Sequence, residues 1–439
     1  MNTNAQLFGN EKISKILLKL TPPVMLAQLI QALYNMIDSF FVGQYSQNGL
    51  TALSIVYPLQ LLMIALAVGS GVGINTDMAH HLGLGEKDKA DAVAGSAAPL
   101  AIVLWVVFVA VMYLIMPSYA KMNTSSPEII EEVIAYGRIV CVFSIGLFLE
   151  SVWSKVHQAE GNMKGPMLAQ IAGALVNIVL DPIFIFGYLG MPKLGIAGAA
   201  LATVVGQCVA ALFVYRGACR KAPSLAQFPG IVRRIYKLGL PNILMQSAYT
   251  VYIFGLNLIL STFSDQAVTV LGLYYKWQTF YFIPIGAMET CIVPILSFNF
   301  AAGKYDRCKK TFSSSLWMQA VLMVAAMLLF ELVPAQMLGI FSRDPEVISI
   351  GRIAFRIIAI SFVPLVTSLG FPVFFQAVGC GLQSCVLTVI RTICLFIPLG
   401  YLFSMIGLNY FWLTFPFTEV ITSVVGFVLF RKFVQKTFK

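Results

Sequence analysis

Charge is scarce in this chain. Of its 439 residues only 11% are Asp, Glu, Lys or Arg, against about 25% in soluble domains. No polar stretch is long enough to be a soluble domain; the longest connection, about residues 217–237, lies in the middle. The eight cysteines are scattered at 141, 208, 219, 291, 308, 380, 385 and 394. They form no CxxC pair and no disulfide framework, and read as small apolar filler. His80, His81 and His157 make no metal spacing. Gly69-Ser70-Gly71-Val72-Gly73 opens no soluble helix after a strand, which argues against a phosphate loop. No nucleophile with a placed base stands out, which argues against an enzyme. The first 19 residues are polar and basic, and the apolar run behind them is long enough to remain as a span, so no cleavable leader is expected.

Apolar residues are abundant. They make up 59% of the chain, and the mean hydropathy is +0.84. Stretches long enough to cross a bilayer recur along the whole length. Twelve are read, at about 20–43, 50–80, 92–116, 133–158, 165–189, 194–216, 238–262, 268–300, 312–333, 349–377, 383–406 and 408–430. The net charge of +10 would suit nucleic acid, but its placement points to a membrane. With an inside N-terminus, twenty Lys and Arg fall in inner loops, Lys439 among them, and only Lys121, Lys193 and Arg343 in outer ones. That asymmetry places both termini inside and supports an even number of spans.

Residues 19–161 reappear at 237–379 at a constant offset of 218. Lys19-Leu20 returns as Lys237-Leu238, Pro23 as Pro241, and Tyr57-x-x-Gln60 as Tyr275-x-x-Gln278. Gly85-x-x-Asp88 returns as Gly303-x-x-Asp306, Arg138 as Arg356, and Gln158-Ala159-x-Gly161 as Gln376-Ala377-x-Gly379. Two related halves of six spans each are a transporter architecture. Six is even, so the halves run in the same direction. The expected fold is all-α and polytopic: twelve transmembrane helices in two parallel-repeat six-helix bundles. The expected division is an N-terminal bundle 1–218, a cytoplasmic connecting loop 219–237 and a C-terminal bundle 238–439.

The halves differ in their costly residues. Asp38 has Leu256 as its counterpart, Asn177 has Leu395, Asp181 has Leu399, and Glu289 has Gly71. In the first span Gln31, Tyr34, Asn35 and Asp38 fall at helical spacing on one face, which should meet a polar interior. A carboxylate at bilayer depth costs about 2.5–3.5 kcal/mol on insertion scales. In the fifth span Asn177 and Asp181 are four apart, and Pro182 cannot donate to the carbonyl of Ile178. Thr203 sits in a small-residue run of the sixth span. Asp38, about 27 Å along its helix at 1.5 Å per residue, Asp181 and Thr203 all reach a similar level in the outer half of the membrane. Such hard oxygen groups suit Na⁺, two close carboxylates can share a proton, and a purely structural polar cluster is the alternative. Glu289, with aromatics earlier in its span, can hold an organic cation. Pro22 and Pro23 stand at the expected start of the first helix, as ordinary N-terminal prolines or as a bend point. Glu150, Glu419, Lys276 and Arg391 are also intramembrane, and the cations can neutralise the acids. Arg138 and Arg356 read as structural.

Pro23, Asp38-x-x-x-x-Gly43, Gly85-x-x-Asp88, Gln158-Ala159-x-Gly161, Asn177-x-x-x-Asp181-Pro182 and the run from Gly198 to Thr203 resemble the multidrug and toxic compound extrusion (MATE) family over about residues 12–435. The resemblance is to the branch whose cation site lies in the N-terminal half. It implies that Asp38, Asn177, Asp181 and Thr203 bind the cation, that Gln31 lines the substrate cavity, and that the first helix bends at Pro23. Another branch uses acids in the seventh and tenth spans, which this chain lacks. The implied function is a Na⁺- or H⁺-coupled antiporter exporting amphipathic, often cationic, organic compounds. Tyr34, Asn35 and Glu289 join Gln31 in the expected substrate cavity. No cofactor beyond the coupling ion and no nucleic acid partner is expected. The expected setting is a monomer in the inner (cytoplasmic) membrane of a prokaryote. A lipid-linked oligosaccharide flippase is the alternative, kept open by Lys276 and Arg391. A membrane-embedded enzyme and a channel are further rivals.

Overall fold

The computed structural model describes residues 3–124 and 126–438, which excludes Lys439. Among these residues ten unbroken helices are long and apolar enough to cross a membrane, and two bent helix pairs complete twelve spans. The chain is a multi-pass membrane protein. All twelve expected spans are present, and most helices run beyond the expected bounds.

The first helix, Ile13–Tyr45, begins well before the expected span. Ile13, Ile16, Leu17 and Leu20 are buried while Lys15, Leu18 and Lys19 are exposed, a three-and-four spacing that makes the entry segment an amphipathic helix. Pro22 and Pro23 therefore lie inside the helix rather than at its start. They leave the carbonyls of Leu18 and Lys19 without their usual donors. The seventh span, Phe228–Leu260, likewise extends inward, so part of the expected loop 219–237 is helical.

The internal repeat is visible in the backbone. The second span, Gln47–Gly83, and the eighth, Asp265–Ala301, are both 37 residues long and start 218 apart. Each opens on a serine cap: the Gly49 N–H donates to Ser46 Oγ and the Ala267 N–H to Ser264 Oγ, both at 3.1 Å. Such caps satisfy one otherwise orphaned donor at a helix start. Gly85 and Gly303 (φ 77° and 68°), and Gly161 and Gly379 (79° and 80°), repeat the left-handed turns that glycine adopts without a Cβ clash. The helix Ile196–Ala218 of the sixth span and Thr414–Thr437 of the twelfth also begin 218 apart, so the register persists beyond residue 379.

The fourth span is Pro127–Val142 plus Ile145–Ala159, bent by 42°, and the tenth is Pro345–Ala359 plus Phe362–Ala377, bent by 55°. Neither break holds Pro or Gly. Each holds a buried serine whose hydroxyl donates three residues back, Ser144 to the Cys141 carbonyl at 2.7 Å and Ser361 to the Ile358 carbonyl at 2.6 Å, a local bond that competes with the helical ladder. The eleventh span, Gly381–Ser404, contains a π-helical stretch at Ile390–Phe396.

Two compact units emerge. One holds residues 1–10 and 22–243, the other residues 11–21 and 244–439. The core of the first centres on residues such as Val56, Ile74, Phe148 and Val156, and that of the second on Tyr274, Phe330, Phe355 and Trp412.

Candidate functional site

The fifth span, Lys164–Phe186, and the helix Ile196–Ala218 pack through glycine. A Cβ on Gly206 would stand 2.6 Å from the Gly173 carbonyl oxygen, a Cβ on Gly173 would stand 2.6 Å from that of Gly206, and one on Gly198 would stand 2.5 Å from that of Phe184. Without side chains at these points the two backbones approach closely, as small residues allow in membranes. That approach carries Thr203 to Asn177.

The Asn177 amide donates to Asp181 Oδ1 at 3.2 Å and to Thr203 Oγ1 at 3.4 Å. Its Nδ2 being so engaged, Asn177 Oδ1 is left without a partner among the described residues, as are Asp181 Oδ2 and Asp38 Oδ1. All three oxygens are buried. Asp181 is 0% exposed, Asn177 2% and Asp38 8%. Asp38 lies within electrostatic reach of Asp181, and neither carboxylate forms an ion pair among the described residues. An unpaired buried carboxylate is costly unless it is protonated or met by a cation. Asn177, Asp181 and Thr203, predicted from sequence as one group with Asp38, are thus joined by hydrogen bonds, and Asp38, Asn177 and Asp181 each keep an acceptor without a partner among the described residues. The donor set is oxygen only, which fits a hard cation.

Asp38 also lines a cavity of about 480 Å³, with Gln31, Tyr34, Asn35, Tyr57 and Thr203 among its walls. The polar face of the first helix therefore lines a cavity whose walls are both polar and apolar, Leu53, Leu61 and Met63 among them, where its spacing predicts a polar interior. Gln60 and Tyr136, joined by a 3.2 Å hydrogen bond, line it too. A recess of about 70 Å³ shares Gln31, Tyr34, Leu147, Thr203 and Gln207 with it and adds Glu150, Gln170 and Asn177. Gln170 and Gln207 are not among the site residues expected from the sequence. The available signal was spacing: Gln207 follows Thr203 by one turn, and Gln170 precedes Asn177 by two.

Glu289 lines neither cavity. It belongs to the second unit, and its Oε1 is buried without a partner among the described residues. Arg391 and Glu419, 6% and 1% exposed, pair with each other: Arg391 Nη2 donates to Glu419 Oε1 at 2.6 Å and Nε to Oε2 at 3.0 Å. Ser368 donates to the same carboxylate. The Arg391 charge that kept the flippase reading open is thereby neutralised in place. Lys276 reaches over the Phe341 ring at 5.3 Å. Asp77 is met by Arg234 at 2.6 Å, and His157 Nε2 lies 3.0 Å from the Val214 carbonyl. Arg138 lies over Tyr113 at 4.5 Å and Arg356 donates to the Glu331 carbonyl at 3.3 Å, both structural contacts. No group of three or more His, Cys, Asp or Glu suited to a metal occurs among the described residues.

Comparison with known proteins agrees with this fold. The MatE family model matches residues 23–183 and again residues 241–402, two matches that begin 218 residues apart. A FAD transporter of Shewanella oneidensis is 23% identical over 96% of this chain and 95% of its own length. The multidrug export protein MepA of Staphylococcus haemolyticus is 24% identical over 92% of this chain and 90% of its own length. A multidrug resistance MATE family transporter solved in an outward-facing conformation superposes with a TM-score of 0.92, at 24% identity, over 100% of this chain and 99% of that one. Twelve membrane spans, a repeat seen in both sequence and backbone, and a family match in each half make this chain a member of the MatE family, the multidrug and toxic compound extrusion transporters.

Proposed function

We propose that this transporter is a cation-coupled antiporter exporting amphipathic, often cationic, organic compounds by alternating access. The observation that carries the reading is the trio of buried oxygens on Asp38, Asn177 and Asp181 that lack a partner among the described residues, beside a cavity of about 480 Å³ that Asp38 itself lines. Na⁺ bound by these oxygens with Thr203 Oγ1, or a proton taken by a carboxylate, would supply the missing positive partner. Charging the site would then change the balance of forces on the first helix, which carries Asp38 and whose ladder is interrupted at Pro23. The cavity walls Gln31, Tyr34 and Asn35 lie on that same helix, so its rearrangement would alter the substrate's surroundings. Ion and substrate drive the cycle only through their different affinities for the two states. Glu289, whose Oε1 is buried without a partner among the described residues, would offer a carboxylate to a cationic substrate within the second unit. The similar multidrug export proteins support this substrate class, and the FAD transporter marks how far substrates differ among relatives of like identity. The protein would work as a monomer in the inner membrane of a prokaryote, with both termini in the cytoplasm.

The test is efflux of a fluorescent organic cation from vesicles, driven by a Na⁺ gradient or a pH gradient imposed separately. Native protein should respond to one of them, and Asp38→Asn should abolish that response. Unchanged gradient-driven export by Asp38→Asn would sink the proposal.

A further inference from the structure

We infer that Glu150 selects the charged head of the substrate, and that the head it accepts carries N–H donors: a primary or secondary ammonium, an amidinium or a guanidinium rather than a quaternary ammonium or phosphonium. The inference rests on the export of organic compounds proposed above. The recess beside the large cavity measures about 70 Å³. Its walls are rich in acceptors. Gln207 Oε1 and Asn177 Oδ1 are buried without partners among the described residues. The Glu150 carboxylate receives the Ser154 hydroxyl at 2.7 Å and is close to Gln170, yet a carboxylate offers about four acceptor sites. Lys155, further along the same helix, offsets part of the Glu150 charge.

The protein's other half shows what fills such a place. At the offset of 218, Glu150 corresponds to Ser368, Gly173 to Arg391 and Leu201 to Glu419. In the second unit the Arg391 guanidinium donates to the Glu419 carboxylate, which also accepts the Ser368 hydroxyl, so the three counterparts form one hydrogen-bonded group. In the first unit Gly173 contributes no side chain, and the recess it lines stays open with an acid at its wall. The repeat thus has an N–H-bearing cation built into one half and an acceptor-lined recess at the matching place in the other.

The test compares binding of two cations to the purified full-length protein: the bis-amidinium dye diamidinophenylindole, and tetraphenylphosphonium, which has no N–H. Hydrogen bonds to charged groups are strong enough that Glu150→Gln should shift the ratio of the two dissociation constants by about tenfold in favour of tetraphenylphosphonium. Gln207→Leu should move the ratio the same way by about threefold. A merely structural role would weaken both ligands together, and tetraphenylphosphonium binding reports that each variant is folded. An unchanged ratio in Glu150→Gln, equal loss of both ligands, or native protein that binds neither would overturn the assignment. Glu150-dependent amidinium binding by a protein that exports neither cation under a Na⁺ or pH gradient would support the assignment and remove the antiport reading alone.

Discussion

Replacing Gly206 by alanine places a Cβ 2.6 Å from the Gly173 carbonyl oxygen and 3.2 Å from Asn177 Cβ. The first neighbour is backbone, so no side chain can swing aside. Reaching ordinary contact at 3.4 Å requires the two helices to part locally by about 0.8 Å. The Asn177–Thr203 hydrogen bond already spans 3.4 Å, near the outer limit for such a bond, and half that movement breaks it. Overpacking of this kind costs about 1–3 kcal/mol, and loss of the hydrogen bond about 0.5–1.5 kcal/mol. Gly206→Ala should therefore lower the thermal unfolding midpoint in detergent. It should also raise the half-saturating concentration of the coupling ion for efflux by about two- to tenfold. Gly272→Ala is the control. This glycine is helical and a Cβ there meets nothing within 4 Å, so helix propensity alone should leave it neutral or slightly stabilising. If Gly206→Ala matches Gly272→Ala in both ion half-saturation and unfolding midpoint, close helix approach is not what assembles the site.

Further outcomes follow from the buried ion pair and the turns. Arg391→Met and Glu419→Leu should each destabilise the protein by about 3–5 kcal/mol, because each leaves an uncompensated buried charge, whereas the double variant should recover most of that loss. Thermal unfolding of the three proteins decides it, and a double variant no better than the singles contradicts the pairing. Gly161→Ala and Gly379→Ala each force a left-handed backbone onto a residue with a Cβ. Each should cost about 1–2 kcal/mol, read as a lowered unfolding midpoint, and equal stability to native would refute the strained-turn reading.

The sequence by itself determined the number of spans, the repeat and the grouping of the asymmetric acids. These follow from composition and from spacing along a helix. Twenty apolar residues have few alternatives in a bilayer, where backbone groups must bond internally. Paired Pro, Gly and Asp at one offset likewise have few explanations but duplication. Asp38, Asn177, Asp181 and Thr203 were legible because polar residues are rare and expensive in such helices. Three things were decided only by tertiary structure. The bends in the fourth and tenth spans rest on Ser144 and Ser361 turning their hydroxyls back onto the chain, and no Pro or Gly marks them. The first helix starts at Ile13 because its entry residues find an apolar surface to bury against, which moves Pro23 into the helix interior. The identity of neighbours also needs three dimensions. Arg391 belongs to Glu419 and Asp77 to Arg234, while Glu150 lines an open recess. Each of these charges looks alike in one dimension, and only the packing of the helices determines which ones find a partner.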